Sequence, residues 1–214
     1  MTFGDLFDRA AASAGDVDER DVRRALDEVR SAPAADDDST DDPAAEPPDP
    51  SPSRVVADAD ALAADLLVGG AAREGLDALR SHAWTTLLAS DRLLDDAEAV
   101  IASLSEPGLA ADWRDAIEAW REPVAQPPGD HPALASAYRG GAMQVVSLDP
   151  SLTGPGAAAG LRERLPVSVR EPRAFATVFD PAKLYPDAVG GEYPGPDRDP
   201  RTMAPVGVDE EQHR

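Results

Sequence analysis

Apolar residues along this chain fall into two spacings. Val55-Val56-Ala57, Trp84 to Leu88, Met143 to Val146 and Val167 to Val169 are short apolar runs bounded by turn residues, which predicts buried strands. Between these runs apolar residues recur three and four apart. Leu62, Leu66 and Leu67 mark one helix, and Gly69-Gly70 separate it from a second carrying Leu76 and Leu79. Leu93, Leu94, Ala97, Val100, Ile101 and Leu104 mark another, capped by Ser90 and stopped at Pro107. Leu109, Trp113, Ile117 and Trp120 share one face of the next, and both tryptophans are expected in the core. The alternation predicts an α/β fold, a three-layer sandwich with a mostly parallel sheet of short strands covered on both faces.

The stretch Asp130 to Asp149 is the densest in signals. Asp130 stands before a helical run of Ala133, Leu134, Ala137 and Tyr138 and can cap it, with Pro132 in the first turn. Gly140-Gly141 ends that helix, and a strand follows that leaves through Ser147-Leu148-Asp149-Pro150. Asp149 is thereby expected at the C-terminal edge of the sheet, where open α/β folds build their sites.

The flanks read differently. Residues 1–31 predict two short helices, one with Phe3, Leu6, Phe7 and Ala10 on a face, the other with Val22, Ala25, Leu26 and Val29. Each is too short to stand alone, so both must pack on each other, on the main domain or on a partner. Residues 32–53 are Pro, Asp and Ser with almost no large apolar side chain, and read as an acidic disordered linker. The α/β domain is expected over 54–180. Residues 181–214, rich in Gly, Pro and Asp, read as an extended, mobile tail, with Glu122 to Gly129 as a proline-rich loop inside the domain.

Charge changes this picture in one respect. The chain of 214 residues carries a formal net charge of −21, mostly from aspartate, and Lys183 is its only lysine. Such a surface suits a cytoplasm at molar salt, where screening shortens to about 3 Å and self-repulsion costs little. A halophilic protein is the expectation, and overall charge does not exclude a nucleic-acid partner. There is no cysteine, hence no disulfide and no thiolate chemistry. His82, His131 and His213 are scattered without metal-ligand spacing and are expected in surface loops or caps. No apolar run approaches the roughly 20 residues of a membrane span, and no signal segment is read at the N-terminus, so a cytoplasmic protein is expected.

Asp58 follows the first strand, Asp149 a later one, and Asp130 opens the helix beside it; Asp95, Asp96 or Glu98 adds an acid from the helix after Ser90. A parallel sheet gathers strand C-termini, so these acids can converge. Converging carboxylates repel unless protons or cations intervene, and Mg²⁺ or Mn²⁺ is the hard-cation solution. The bland alternative is that among 41 acidic residues these are caps and turn residues.

In its order of motifs the chain resembles the PIN-domain family, metal-dependent ribonucleases that include VapC-type toxins. The resemblance runs from about Arg54 to Phe179. It rests on Val55-Val56-Ala57-Asp58 with Leu62 four residues on, on Leu93-Leu94-Asp95-Asp96-Ala97, and on Asp130, Ala135, Ala137, Gly140-Gly141, Val145-Val146, Ser147 and Asp149 in sequence. It implies that Asp58, Asp96, Asp130 and Asp149 bind Mg²⁺ or Mn²⁺, that Ser147 holds a carboxylate or water, and that RNA is cut to 3′-hydroxyl and 5′-phosphate ends. A homodimer is implied as well. Asp60 stands where the family often has asparagine, either in the metal shell or, by preference, facing solvent. Arg92, Arg139, Arg162, Arg164, Arg170 and Arg173 are candidates for phosphate contact. The competing expectation is a PIN-like module that does not cut and docks a protein partner through residues 1–31.

Overall fold

Five strands run parallel in one sheet in the computed structural model, which describes residues 1–32, 46–126, 131–162 and 166–206. They are β1 (Ser51–Ala57), β2 (Thr86–Ala89), β3 (Glu122–Pro123), β4 (Ala142–Val146) and β5 (Ser168–Arg170), in the order β3-β2-β1-β4-β5. The α/β class is as expected, and every named strand pairing is parallel. Val55, Val56 and Val145 are fully buried, as strands covered on both faces require.

β1 begins at Ser51, inside the stretch expected as linker, because the Ser51 N–H donates to Gly141 O at 2.9 Å. Residues 33–45 of that linker lie outside the described residues. β3 takes two residues of the expected proline-rich loop, Glu122 and Pro123, onto the outer edge of β2, where a missing N–H costs least.

The helices are α1 (Phe3–Ser13), α2 (Glu19–Ser31), α3 (Ala59–Leu67), α4 (Gly70–Arg80), α5 (Asp91–Leu104), α6 (Pro107–Trp120), α7 (Pro132–Gly140), α8 (Pro150–Thr153), α9 (Pro155–Arg162), α10 (Pro172–Val178) and α11 (Pro181–Ala188). Several open on proline, which suits a first helical residue whose N–H has no partner in the helix. Pro107 is one of them: α5 already ends at Leu104, so this proline starts α6 rather than stopping its predecessor. Gly141 caps α7 in the left-handed conformation, φ +65°, and a Cβ there would meet the carbonyl oxygens of Pro48 and Asp49 at 2.9 Å.

α1 and α2 are built into the domain. Thr2 with Asp5, and Asp18 with Asp21, form capping boxes that fix where each helix starts. Leu6, Phe7, Val22 and Leu26 are buried in the same core as the sheet residues. α1 packs on α6 and α3; α2 packs on α5 and α3. Phe3 meets Trp120 edge to face at 5.6 Å, and the Arg73 guanidinium lies 3.7 Å over Phe7. Beneath them Arg80, fully buried, donates to both oxygens of Asp65 at 2.7 and 2.9 Å and to Asp77 at 2.8 Å. Trp113 is buried in the core and Trp120 is half-buried against it.

Residues 181–206 are not the extended tail expected. They open with α11 and then fold back: Asp197 and Arg198 donate N–H groups to Ser81 O, and the Gly4 N–H donates to Arg201 O at 2.8 Å. Tyr185 and Tyr193 pack around Trp84 and His82. The aromatic residues scattered through a Gly/Pro-rich stretch anchor it. His82 is accordingly buried rather than in a surface loop, with Nε2 2.7 Å from the Tyr193 hydroxyl. His213 lies outside the described residues. Among the described residues no helix is long and apolar enough to cross a membrane.

Candidate functional site at the sheet switch point

The chain passes from β1 to β2 on one side of the sheet and later adds β4 on the other side of β1. The crevice beyond the C-terminal ends of β1 and β4 is therefore the topological switch point, the usual ligand position in such sheets. Asp58 leaves β1 there and Ser147 leaves β4. The Asp58 N–H extends the sheet by one bond, donating to Val146 O at 2.8 Å.

Asp58 is fully buried. Its Oδ1 accepts from the Ala59 N–H at 2.8 Å, capping α3, and its Oδ2 accepts from the Ser147 hydroxyl at 3.1 Å. That same hydroxyl lies 3.3 Å from Asp60 Oδ2. A hydroxyl has one proton, so the two carboxylates share a single donor. The Leu148 N–H also donates to Asp60 Oδ2 at 3.0 Å, and the Asp149 N–H donates to Ser147 Oγ at 3.1 Å. The β4 exit thus holds the hydroxyl that holds the acids.

Asp60 corrects the expectation of a solvent-facing residue: it is 1% exposed, and its Oδ1 is buried without a hydrogen-bond partner. Burial first, and the neighbouring Asp58 charge second, push its carboxyl well above the ordinary 3.8. α3 is the reason. Every residue of Ala59–Leu67 is buried, so the helix has no solvent face to give an acid.

From α5, Asp96 reaches the same place and is 2% exposed, whereas Asp95 points outward to Arg114 at 2.6 Å. Asp58 and Asp96 are joined by a residue that the sequence did not nominate. Arg30, in the last turn of α2, donates through Nη2 to Asp58 Oδ1 at 2.8 Å and through Nε to Asp96 Oδ2 at 2.9 Å. Burial pulls this guanidinium's pKa down, but the two carboxylates outweigh it and leave the pKa raised. Arg92, one turn before Asp96, adds a second cation at 3.1 Å from its Oδ1.

His131 opens α7 beside this group. Its Nε2 is 3.4 Å from Arg30 Nη1 and 4.0 Å from Asp58 Oδ2, while its Nδ1 is buried without a partner. Burial, ahead of the charges around it, moves its pKa below 6.5, favouring the neutral ring. Asp130 lies outside the described residues, and α7 begins without a side-chain cap from His131. Asp149 is the expected site acid whose carboxylate is turned elsewhere: it caps α8, accepting from the Ser151 N–H and hydroxyl, both at 2.7 Å.

A cavity of about 340 Å³ opens beside these acids, between Asp60 and Asp149 on one wall and Arg23, Arg24 and Arg30 on the other. Of the arginines expected to meet phosphate, Arg92 is engaged with Asp96, Arg170 donates to Gln144, and Arg173 is exposed on α10. The Arg162 side chain and Arg164 lie outside the described residues. Among the described residues no three His, Asp or Glu side chains stand arranged to hold a metal.

Residues 49–201 match a family described as a family of unknown function, DUF7384. The chain belongs to this family. Comparison with curated proteins and with solved structures gives no match. The DUF7384 match takes in Asp58, Asp60, Asp96, Ser147 and Asp149 and starts after Arg30, so the site's acids belong to the family region and its principal cation comes from the helices before it.

Proposed function

We infer that the protein is a metal-dependent endoribonuclease with a PIN-like, three-layer domain, hydrolysing RNA phosphodiester bonds at the crevice between β1 and β4. The observation that carries this reading is the meeting of Asp58 and Asp96, from different elements, as buried carboxylates at the switch point, tied by one cationic group. The resemblance to PIN domains supplies the chemistry.

One separate observation supports a hard divalent cation, Mg²⁺ or Mn²⁺, beside these acids. Asp60 Oδ1 is a buried carboxylate oxygen that nothing among the described residues satisfies. Native interiors rarely leave such an atom unpaired, and oxygen donors are what these ions take. Asp58 and Asp96 would hold the ion, with Asp60 beside them and Asp149 released from Ser151. Asp130 completes the expected set. When bound, such an ion activates water and neutralises phosphodiester charge.

The chain's own residues do the positioning. Ser147 orients Asp58 and Asp60, and the Asp149 N–H fixes the Ser147 hydroxyl in turn. Arg92 holds Asp96 from its own helix. The neutral His131 ring stands next to the acids, where it can accept a proton without adding charge beforehand.

A second reading has an observation in its favour. Arg30 already bridges Asp58 and Asp96, as in a domain that has exchanged metal for an internal cation and binds without cutting. The test is incubation of labelled single-stranded RNA in high KCl with and without Mn²⁺, using wild type and Arg30→Gln. Mn²⁺-dependent cleavage that Asp58→Asn abolishes supports the nuclease. Absence of cleavage by both proteins, or equal cleavage by Asp58→Asn, removes it.

A further inference from the structure

We propose that α2 is a built-in plug, with Arg30 and a divalent cation as alternative occupants of the Asp58–Asp96 pair. This rests on the metal-site reading above.

Three observations converge. Arg30 binds both carboxylates through two different nitrogens of one planar fork, so it sits where their negative fields add. Its Nη1 also faces His131, so the one side chain touches three elements of the crevice. Second, α2 is amphipathic in the sense that docking needs. Val22, Ala25 and Leu26 are buried, while Arg20, Arg23, Arg24 and Arg30, against the single acid Asp27, line the cavity that Asp60 and Asp149 line opposite. A cationic helix face thus covers an acidic mouth, in a chain whose net charge is −21. Third, the plug precedes the family region: Arg30 lies before residue 49, and α2 is joined to β1 through the Pro- and Asp-rich segment 32–50.

The consequence is competition. Arg30 holds Asp58 Oδ1 and Asp96 Oδ2, and the two remaining oxygens already accept from Ser147 and Arg92, so a cation gains the pair only when Arg30 leaves. The apparent metal affinity falls by the fraction of molecules in which the plug is out. The unpartnered Asp60 Oδ1 is then a metal-ligating oxygen held in reserve beside a pair whose charge Arg30 offsets in part.

The experiment is Mn²⁺ titration of the full chain by calorimetry, comparing wild type with Arg30→Gln and with Leu26→Ala. The second variant loosens α2 at its buried face without touching a carboxylate, and covers the case in which the first folds poorly. Both variants are expected to bind Mn²⁺ at least about tenfold more tightly than wild type, and Asp58→Asn added to either is expected to abolish binding. Equal binding by wild type and both variants overturns the plug while leaving the metal site standing. No binding by any of the three overturns the metal site, and the plug with it.

Discussion

Arg30 Nη2 donates to Asp58 Oδ1 at 2.8 Å, linking the last turn of α2 to the end of the central strand. This bond and its companion to Asp96 set one positive charge between two buried carboxylates, and Arg92 supplies the second at Asp96. Breaking a buried pair from one side leaves a charge uncompensated, which costs more than the pair contributed. Arg30 is 22% exposed, so screening trims the cost. In EDTA, Arg30→Gln should lose about 2–3 kcal/mol of stability. That corresponds to a melting temperature lower by roughly 5–10 °C. An unchanged melting curve would mean that the carboxylates do not need the guanidinium.

Ser147→Ala removes the one proton that Asp58 and Asp60 share. Leaving buried acceptors short of a donor costs about 1–3 kcal/mol. Urea denaturation of the metal-free protein should show the midpoint fall with the slope unchanged. Ser147→Thr keeps the hydroxyl and should recover most of the loss; failure to recover would point to packing instead.

The stability of the metal-free protein should carry the signature of Asp60. Its carboxyl titrates above the ordinary 3.8 in the folded state, because burial and the Asp58 charge disfavour ionisation. Folding therefore favours the protonated form. That contribution is fully present below the unfolded pKa and is lost as pH rises through the folded value. Asp60→Asn cannot ionise and keeps an oxygen for the Leu148 N–H. The variant's melting temperature, relative to wild type, should climb as pH is raised from below 4 towards neutrality. A difference that is flat with pH would show that Asp60 is ionised alike in both states.

Arg80→Met should be the most damaging of these changes and the least informative about function. Arg80 is fully buried and holds Asp65 through both oxygens, and Asp65 is itself 1% exposed. Removing this cation leaves the carboxylate only Arg73, 3.9 Å away, at a cost of about 3–5 kcal/mol. Mn²⁺ affinity of whatever remains folded should match wild type, since neither Arg80 nor Asp65 lines the β1–β4 crevice.

Much of this was legible from periodicity. The strands around Val55, Leu87, Val145 and Val169, and the helix breaks at Gly69-Gly70 and Gly141, follow from local spacing and turn chemistry. Asp58 stands out because it ends an apolar strand, whereas the pattern of α5 leaves Asp95, Asp96 and Glu98 open and only the resemblance to PIN domains picks Asp96. Asp60 carries a signal in its surroundings: ADALAADLL is apolar on every side, so its acids are buried with it. Arg30 left none. Four arginines alternate with acids along α2, and which of them turns inward depends on how α2 docks on α5 and α3, a contact between segments far apart in sequence. The anchored segment after Ala188 escaped for the same reason, since Tyr193 and Arg201 find partners only in the folded chain.

If Asp58 and Asp96 form a divalent-cation site from which Arg30 is displaced, manganese should occupy it once Arg30 is gone. Crystals of Arg30→Gln grown with Mn²⁺ test it most directly, by anomalous scattering at the manganese edge. One strong peak is expected between the Asp58 and Asp96 carboxylates, within coordinating reach of Asp60 or Asp149. A map with no peak there, or with manganese only at surface acids, would contradict it.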